Sequence, residues 1–181
     1  SVDGTSSSSS SGTNKKTERI VKTPLHWKDL KILGPLGTGT FCDVLEVDNG
    51  GRLCALKRLR RNASDSDSSF VENSSDLASE AAILTNLEHP NIIRVHGMAE
   101  GPIEDAPVAN EEGFFVVMER LEETLLDRIK RWKVQPNPHD RRALYDRLDV
   151  ALELAKAVRY LHGQKVVHRD LKSDNIGFDD T

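Results

Sequence analysis

The sequence contains little cysteine, no long apolar run and no excess of positive charge. Cys42 and Cys54 are the only cysteines in 181 residues, whereas a disulfide-stapled secreted domain needs more. No stretch has the apolar length of a membrane-spanning helix, and no secretory signal pattern is visible. We therefore predict an intracellular protein, cytoplasmic or nuclear, with reduced thiols and no membrane span.

The charge balance bears on nucleic acids. The formal net charge is −4 at pH 7, and nucleic-acid-binding domains usually carry a clear basic excess. One basic run, KRLRR at 57–61, is more typical of a solvated strand end than of a binding patch. We expect no nucleic-acid partner.

The N-terminal residues differ in composition from the rest. Residues 1–18 read SVDGTSSSSSSGTNKKTE, with almost no bulky apolar side chain. Such a stretch cannot bury enough surface to offset its chain entropy. We predict a disordered segment at 1–24, which is either a plain linker or a phosphorylatable serine tail.

Downstream of Trp27 the pattern predicts strands around one helix. LKILGPLG indicates a strand and a turn, and residues 42–60 indicate a hairpin around NGG at 49–51. IIRVHGM and FFVVMERL indicate two more strands. SDLASEAAILTNLE, at 75–88, indicates a helix, and the polar residues 62–76 and 99–113 indicate loops. The helix places these residues on one side: Leu77, Ala81, Leu84 and Leu87.

A helical part follows Leu121. Its longest pattern runs from Ala143 to His162 and has one apolar face. That face carries Leu144, Leu148, Ala151, Ala155, Val158 and Leu161. The element order indicates an α+β fold with a boundary near residues 119–123.

Two motifs point to phosphate. GTGTFCDV, at 37–44, has glycines that allow backbone N–H groups to approach phosphate oxygens, although an ordinary hairpin turn is an alternative. In CALK, Lys57 ends an apolar strand and could neutralise phosphate charge. Its alternative is an exposed strand lysine. Glu80 weakens that alternative, because a carboxylate on the packed face of a helix needs a partner.

The third motif is HRDLKSDN at 168–175. Asp170 could accept or orient a hydroxyl proton, and Lys172 could steady a phosphoryl group. Asn175 offers a hard oxygen ligand suited to Mg²⁺. A charged surface loop is the alternative, but eight residues matching in order argue against it.

Together these motifs resemble those of the eukaryotic protein kinase family. The resemblance covers about residues 25–181 and includes HPNI at 89–92 and VVMERL at 116–121. It implies a five-stranded antiparallel small lobe with one helix and a hinge at 25–121. The start of a mainly helical large lobe follows at 122–181. It implies transfer of the γ-phosphoryl group of ATP, with Mg²⁺, to Ser/Thr hydroxyls of a protein substrate.

The resemblance also implies residue roles. Asp170 is the catalytic aspartate, Asn175 the Mg²⁺ ligand, and Lys57 pairs with the nucleotide phosphates and with Glu80. Lys172 resembles serine/threonine or tyrosine-kinase-like members. Val44 and Ala55 cover the adenine, Met118 is the gatekeeper, and the hinge follows it. The full nucleotide-binding set is Leu36, Gly37, Thr38, Gly39, Thr40, Val44, Ala55, Lys57, Met118, Glu119 and Leu121.

Three departures from the family pattern stand out. Cys42 replaces the third loop glycine and places near the nucleotide a thiol that would be reactive if its pKa were lowered. Gly177 stands where a leucine usually lies under adenine, and Phe178 is a candidate to fill the gap. No DFG motif follows Asn175, and Asp179 and Asp180 come too early to replace it. We expect a C-terminally incomplete kinase domain, of doubtful activity alone.

Two other functions fit parts of the pattern. A catalytically silent nucleotide-binding or scaffold protein would not need Lys57, Glu80, Asp170 and Asn175 together. A small-molecule kinase of related fold fits HRDLKSDN less well.

Overall fold

The computed structural model describes residues 24–39, 41–60, 67–99, 114–136 and 140–179, without the side chains of 67–69 and 71. Almost all of the predicted disordered segment, most of the insert at 99–113, Thr40 and Asp180 lie outside the described residues. Within the described ranges, no helix is long and apolar enough to cross a membrane.

Five antiparallel strands form one sheet in the order β1-β2-β3-β5-β4, which confirms the predicted α+β fold. The strands are β1 Lys31–Thr38, β2 Cys42–Asn49, β3 Arg52–Leu59, β4 Val95–Met98 and β5 Phe115–Glu119.

The predicted hairpin between β2 and β3 is confirmed. Asn49 pairs with Arg52, so the turn consists of Gly50 and Gly51, with φ of 62° and 89°. Both angles are positive, which glycine adopts without steric cost. The Gly51 N–H donates to Asp48 Oδ1 at 2.6 Å, which closes the turn.

Helix α1, Asp67–Thr85, begins earlier than the sequence predicts. Its first ten residues belong to a stretch that we assigned to a loop because of its serines and acids. The buried Ser74 shows why that assignment was wrong, since its hydroxyl donates to the Phe70 carbonyl at 2.8 Å within the helix. Composition alone does not distinguish such a serine from one in a loop.

The core forms a layer on each face of the sheet. Along β5, Phe115 and Val117 face one layer and Val116 faces the other, because successive strand side chains alternate. Leu77 and Ala81 of α1 cover the Val116 face, as the helical spacing predicts. The helix and the central strands thereby form a fixed base for the site.

The segment before β1 covers the opposite face. Leu25 forms a bridge with Ala99, and the Trp27 and Phe115 rings meet edge to face with centroids 5.7 Å apart. The Arg58 guanidinium lies 5.2 Å from the Trp27 centroid. At least this residue of the basic run is packed rather than solvated.

Two helices follow, α2 Leu125–Lys133 and α3 Arg141–Gly163. Asp140 caps α3 by accepting from the Ala143 N–H at 2.6 Å, and the long helix predicted from the apolar period is confirmed. Much of its apolar stripe is exposed, with Leu144 at 53% and Leu148 at 52%.

A small second sheet, which the sequence does not predict, joins β6, Glu123–Thr124, to β7, Gly177–Phe178.

Candidate active site

The loop between β1 and β2 lies at the edge of the site. β1 extends through its glycines to Thr38, with register shifts that accommodate Pro35 and its neighbours. A Cβ at Gly37 would meet nothing within 4 Å, so this part of the loop is open to a ligand. The Gly39 N–H instead donates to the Cys42 carbonyl at 2.7 Å.

Lys57 lies in β3 directly opposite Val44. Its Nζ donates to both carboxylate oxygens of Glu80, at 2.9 and 2.7 Å, so the predicted contact is present. The prediction that Glu80 lies on the packed face of α1 was wrong, because its side chain is 50% exposed. Ala81, the next residue, faces the sheet, and a helix turns about 100° per residue. Glu80 therefore meets Lys57 at the margin of the core.

Residues of β3 and β5 form the next part of the candidate site. Ala55 is buried and pairs with Met118, and Met118 packs against the layer under α1. The Glu119 N–H donates to the Arg94 carbonyl at 2.9 Å, which fixes the end of β5 where the chain leaves the sheet.

Leu121 and Gly177 lie in contact after the end of β5 and after the candidate catalytic loop, respectively. A Cβ at Gly177 would overlap Leu121 Cδ1, so the Leu121 side chain occupies the space that a side chain at 177 would take. The sequence made Phe178 a candidate to fill the gap at Gly177, but Phe178 does not fill it. Its ring instead lies under the Arg128 guanidinium, 3.3 Å from the ring centroid, because neighbouring residues of β7 face opposite sides.

The candidate catalytic loop begins with a tight turn. The Asp170 N–H donates to the His168 carbonyl at 2.9 Å, and Arg169 between them has φ of 65°. A three-residue turn with positive φ is rare and strained in non-glycine residues. This turn sets the direction in which Asp170 leaves the backbone.

Asp170, Lys172 and Asn175 form a hydrogen-bonded cluster. Asp170 Oδ2 accepts from Lys172 Nζ at 2.8 Å and from Asn175 Nδ2 at 2.9 Å. These two bonds, the lysine bond contributing more, hold the pKa of the Asp170 carboxyl below its usual range. The same contact raises the pKa of the Lys172 ammonium. At neutral pH the aspartate is therefore negative and the lysine positive.

The geometry of Asn175 fits a hard cation. Its amide nitrogen is used by Asp170, by the side chain and by the backbone carbonyl at 2.8 Å, which leaves the amide oxygen for a metal. Among the described residues, no group of three His, Cys, Asp or Glu could hold a metal. Mg²⁺ is commonly held by one or two protein oxygens together with phosphates and water, and the cluster suits that arrangement.

The surroundings of the Cys42 thiol do not favour the thiolate. Burial raises its pKa, and the opposing effect of Lys57 is smaller. The shift is opposite in direction to the lowered pKa on which a reactive thiol would depend. Cys42 and Cys54 are both free, as predicted.

Sequence reasoning missed Arg60 and Arg120. Arg60 Nη2 donates to the Gly39 carbonyl, and Arg120 Nε lies 2.5 Å from Glu46 Oε1. For Arg60 a signal existed, because the β2–β3 register extends to place residue 60 beside Phe41. Nothing in the sequence indicates the contact between Arg120 and Glu46, since it depends on the direction that the chain takes after β5.

A sequence profile of the protein kinase domain matches residues 30–181. The chain belongs to the protein kinase family. In this kinase domain the loop after β1, the Lys57–Glu80 pair and the Asp170 cluster come from segments far apart in sequence. Two backbone bonds connect the segment after β5 with the segment after Asn175: the Glu122 N–H donates to the Phe178 carbonyl at 2.7 Å, and the Leu125 N–H donates to the Ile176 carbonyl at 2.8 Å.

Several known kinases are similar to this domain. A probable serine/threonine-protein kinase of Dictyostelium discoideum is 28% identical over 87% of the chain and 11% of its own length. A leaf rust 10 disease-resistance locus receptor-like protein kinase of Arabidopsis thaliana is 32% identical over 90% of the chain and 22% of its own length. The cAMP-dependent protein kinase type 3 of Saccharomyces cerevisiae is 32% identical, over 83% and 34%. The chain spans only a minor part of these curated relatives.

Proposed function

We propose that this kinase transfers the γ-phosphoryl group of ATP to serine or threonine hydroxyls of protein substrates. The observation that carries the proposal is the Asp170–Lys172–Asn175 cluster, in a chain that also holds the Lys57–Glu80 pair. The small lobe and hinge would be residues 25–121, and the large lobe would begin at 122.

The nucleotide would lie between the glycine loop and the hinge. Residues 36–40 would cover its phosphates, and Lys57, held by Glu80, would neutralise them. Val44 and Ala55 would cover the adenine from above, with Met118 behind it. Glu119 and Leu121 would line the edge of the ring.

Each member of the cluster has a distinct task. Asp170, kept ionised by its neighbours, would accept the hydrogen bond of the substrate hydroxyl and orient it. Lys172 would stabilise negative charge on the transferring group. The amide oxygen of Asn175 would hold Mg²⁺, which neutralises phosphate charge when bound.

Serine/threonine specificity rests on two points of support. Lys172 follows Asp170 by two residues, which resembles serine/threonine and tyrosine-kinase-like members. Four curated relatives carry the printed name probable serine/threonine-protein kinase, and all four come from one organism, Dictyostelium discoideum.

The test is phosphate transfer by the natural protein from γ-labelled ATP with Mg²⁺ to a degenerate serine/threonine peptide library. We expect transfer to fall about 100-fold or more in Asp170→Asn and in Lys57→Met. Lys156→Met is the matched control, because Lys156 also pairs with a glutamate, Glu153, on the surface of α3.

Three results would contradict the proposal. Turnover retained in Asp170→Asn would remove the cluster from the chemistry. Labelling of sugars or amines instead of peptides would indicate a small-molecule kinase. Nucleotide binding without transfer in the wild-type protein would favour the silent or scaffold function.

A further inference from the structure

Arg60, which follows β3, is attached to the glycine loop by three contacts. Its Nη2 donates to the Gly39 carbonyl at 3.0 Å, and its Nη1 lies 3.6 Å from Asp43 Oδ1. Its backbone N–H donates to the Phe41 carbonyl at 2.8 Å. This one residue, directly after β3, therefore holds the backbone of the loop, the backbone beside it and an acidic side chain of β2.

These contacts lie at a partly sheltered position. The Arg60 and Asp43 side chains are 35% and 23% exposed, so solvent screens their attraction only in part. A hydrogen bond with a charged donor is stronger than a neutral one. The bond to the Gly39 carbonyl is therefore the main contact, and Asp43 keeps the guanidinium in place to make it.

Gly39 needs such a hold because glycine loses the most conformational freedom when it is fixed. Both of its polar backbone groups are engaged, since its N–H donates to the Cys42 carbonyl at 2.7 Å and its carbonyl accepts from Arg60. A phosphate-binding loop must direct N–H groups at the anion and carbonyl oxygens elsewhere, because carbonyl and phosphate oxygens repel one another. Arg60 gives the Gly39 oxygen a cationic partner of its own.

We propose that Arg60 is a positioning residue that, with Asp43, holds the glycine loop in the conformation that receives the nucleotide phosphates. The proposal rests on the ATP-dependent function proposed above. Its effect is preorganisation: the loop is ordered before the nucleotide arrives, so binding does not have to order it.

A direct contact between Arg60 and phosphate is the competing explanation. A substitution of Asp43 distinguishes the two explanations. If Arg60 positions the loop, Asp43→Asn loosens the guanidinium and raises the KM for ATP. If Arg60 contacts phosphate itself, removing the competing carboxylate frees the guanidinium and lowers that KM.

The first measurement uses the natural protein without nucleotide. Amide hydrogen–deuterium exchange of the peptide that contains residues 37–44 should accelerate about tenfold in Arg60→Met, the size expected for one charge-assisted hydrogen bond. Arg60→Lys should restore part of the protection. Arg58→Met is the matched control, because Arg58 lies in β3 two residues earlier and its guanidinium contacts the Trp27 ring. Circular dichroism checks that each variant is folded.

The second measurement is the steady-state kinetics of the same proteins. We expect Arg60→Met to raise the KM for ATP about tenfold with a small change in kcat, Asp43→Asn to raise it less, and Arg58→Met to leave it unchanged. Unchanged exchange in Arg60→Met, or a lower KM in Asp43→Asn, would overturn the positioning role. A wild-type protein that transfers no phosphate would overturn the proposed function instead, and the exchange measurement would still decide the attachment of the loop.

Discussion

At the scale of single residues, one carboxylate oxygen organises the candidate catalytic loop. Asp170 Oδ2 accepts from both Lys172 and Asn175, although Asp170 and Lys172 are more than half exposed. Exposed ion pairs contribute little to stability. The cluster therefore matters for the ionisation and orientation of Asp170 more than for the fold.

The ionisation of Asp170 can be tested by removing Lys172. In the folded protein the pKa of Asp170 lies below the usual value of about 3.9, and Lys172→Ala removes the largest cause. The pKa of Asp170 should therefore rise, and the carboxylate should accept its proton at a higher pH. Carbon-13 NMR titration of the Asp170 carboxyl measures this directly. Lys156→Ala is the control and should raise the pKa of Glu153 instead. An unchanged Asp170 titration in Lys172→Ala would contradict the cluster.

The contact between Gly177 and Leu121 gives a second prediction at this scale. Gly177→Leu should lower the free energy of unfolding by about 1–3 kcal/mol and weaken ATP binding, because the new side chain overlaps Leu121. Adding Leu121→Ala should restore much of the lost stability. Chemical denaturation and fluorescent-nucleotide titration measure stability and ATP binding, respectively. Gly34→Ala is the control, since a Cβ there meets nothing within 4 Å. Equal losses of stability with and without Leu121→Ala would contradict the contact.

These residues also show what the sequence can predict. The motifs indicated the Lys57–Glu80 contact, because a lysine in a strand and a carboxylate in a helix can be recognised from the sequence pattern alone. The sequence did not reveal that Leu121 occupies the space beside Gly177. That fact depends on the pairing of β6 with β7. The paired residues lie more than fifty positions apart, and each strand is only two residues long.

At the scale of elements, the end of α3 leads into the candidate catalytic loop and sets the direction of the chain. The Val166 N–H donates to the Leu161 carbonyl at 2.9 Å, and the Lys165 N–H donates to the His162 carbonyl at 3.1 Å. This is the Schellman pattern, which favours glycine at the position of Lys165. Lys165 adopts φ of 64° there, at a steric cost of about 1 kcal/mol.

Lys165→Gly should therefore stabilise the protein. We expect the free energy of unfolding to rise by up to about 1 kcal/mol, because the steric cost disappears while glycine adds some chain entropy to the unfolded state. Gln164→Gly is the matched control. Its φ is −82°, so that change should destabilise the protein instead. Urea denaturation of both variants gives the comparison, and destabilisation by Lys165→Gly would contradict the account of this helix end.

The elements were predictable to different degrees for physical reasons. α3 was predictable because its apolar period is long and Asp140 caps it. The start of α1 was not, because packing of its later residues extends a helix through serines that favour turns in isolation. Tertiary contacts decided that boundary.

At the scale of the whole molecule, the sheet part and the helical part must be held in one arrangement for the site to form. The loop after α1 makes that attachment to α3. The Glu88 N–H donates to Tyr160 Oη at 2.9 Å, and Asn91 Nδ2 donates to the backbone and side chain of Glu153 at 3.0 and 2.8 Å. The His89 and Tyr160 rings lie 5.0 Å apart.

Tyr160→Phe tests this attachment. It removes the hydroxyl that accepts from Glu88 but keeps the ring, so we expect the free energy of unfolding to fall by about 1 kcal/mol. Turnover should fall several-fold, because α1 carries Glu80 and its placement relative to Asp170 becomes less restricted. Tyr145→Phe is the control, since Tyr145 lies on the same helix and its hydroxyl makes no hydrogen bond within the described residues. Denaturation and transfer assays on both variants decide the matter. Equal behaviour of the two would show that the Tyr160 hydroxyl does not connect the two parts.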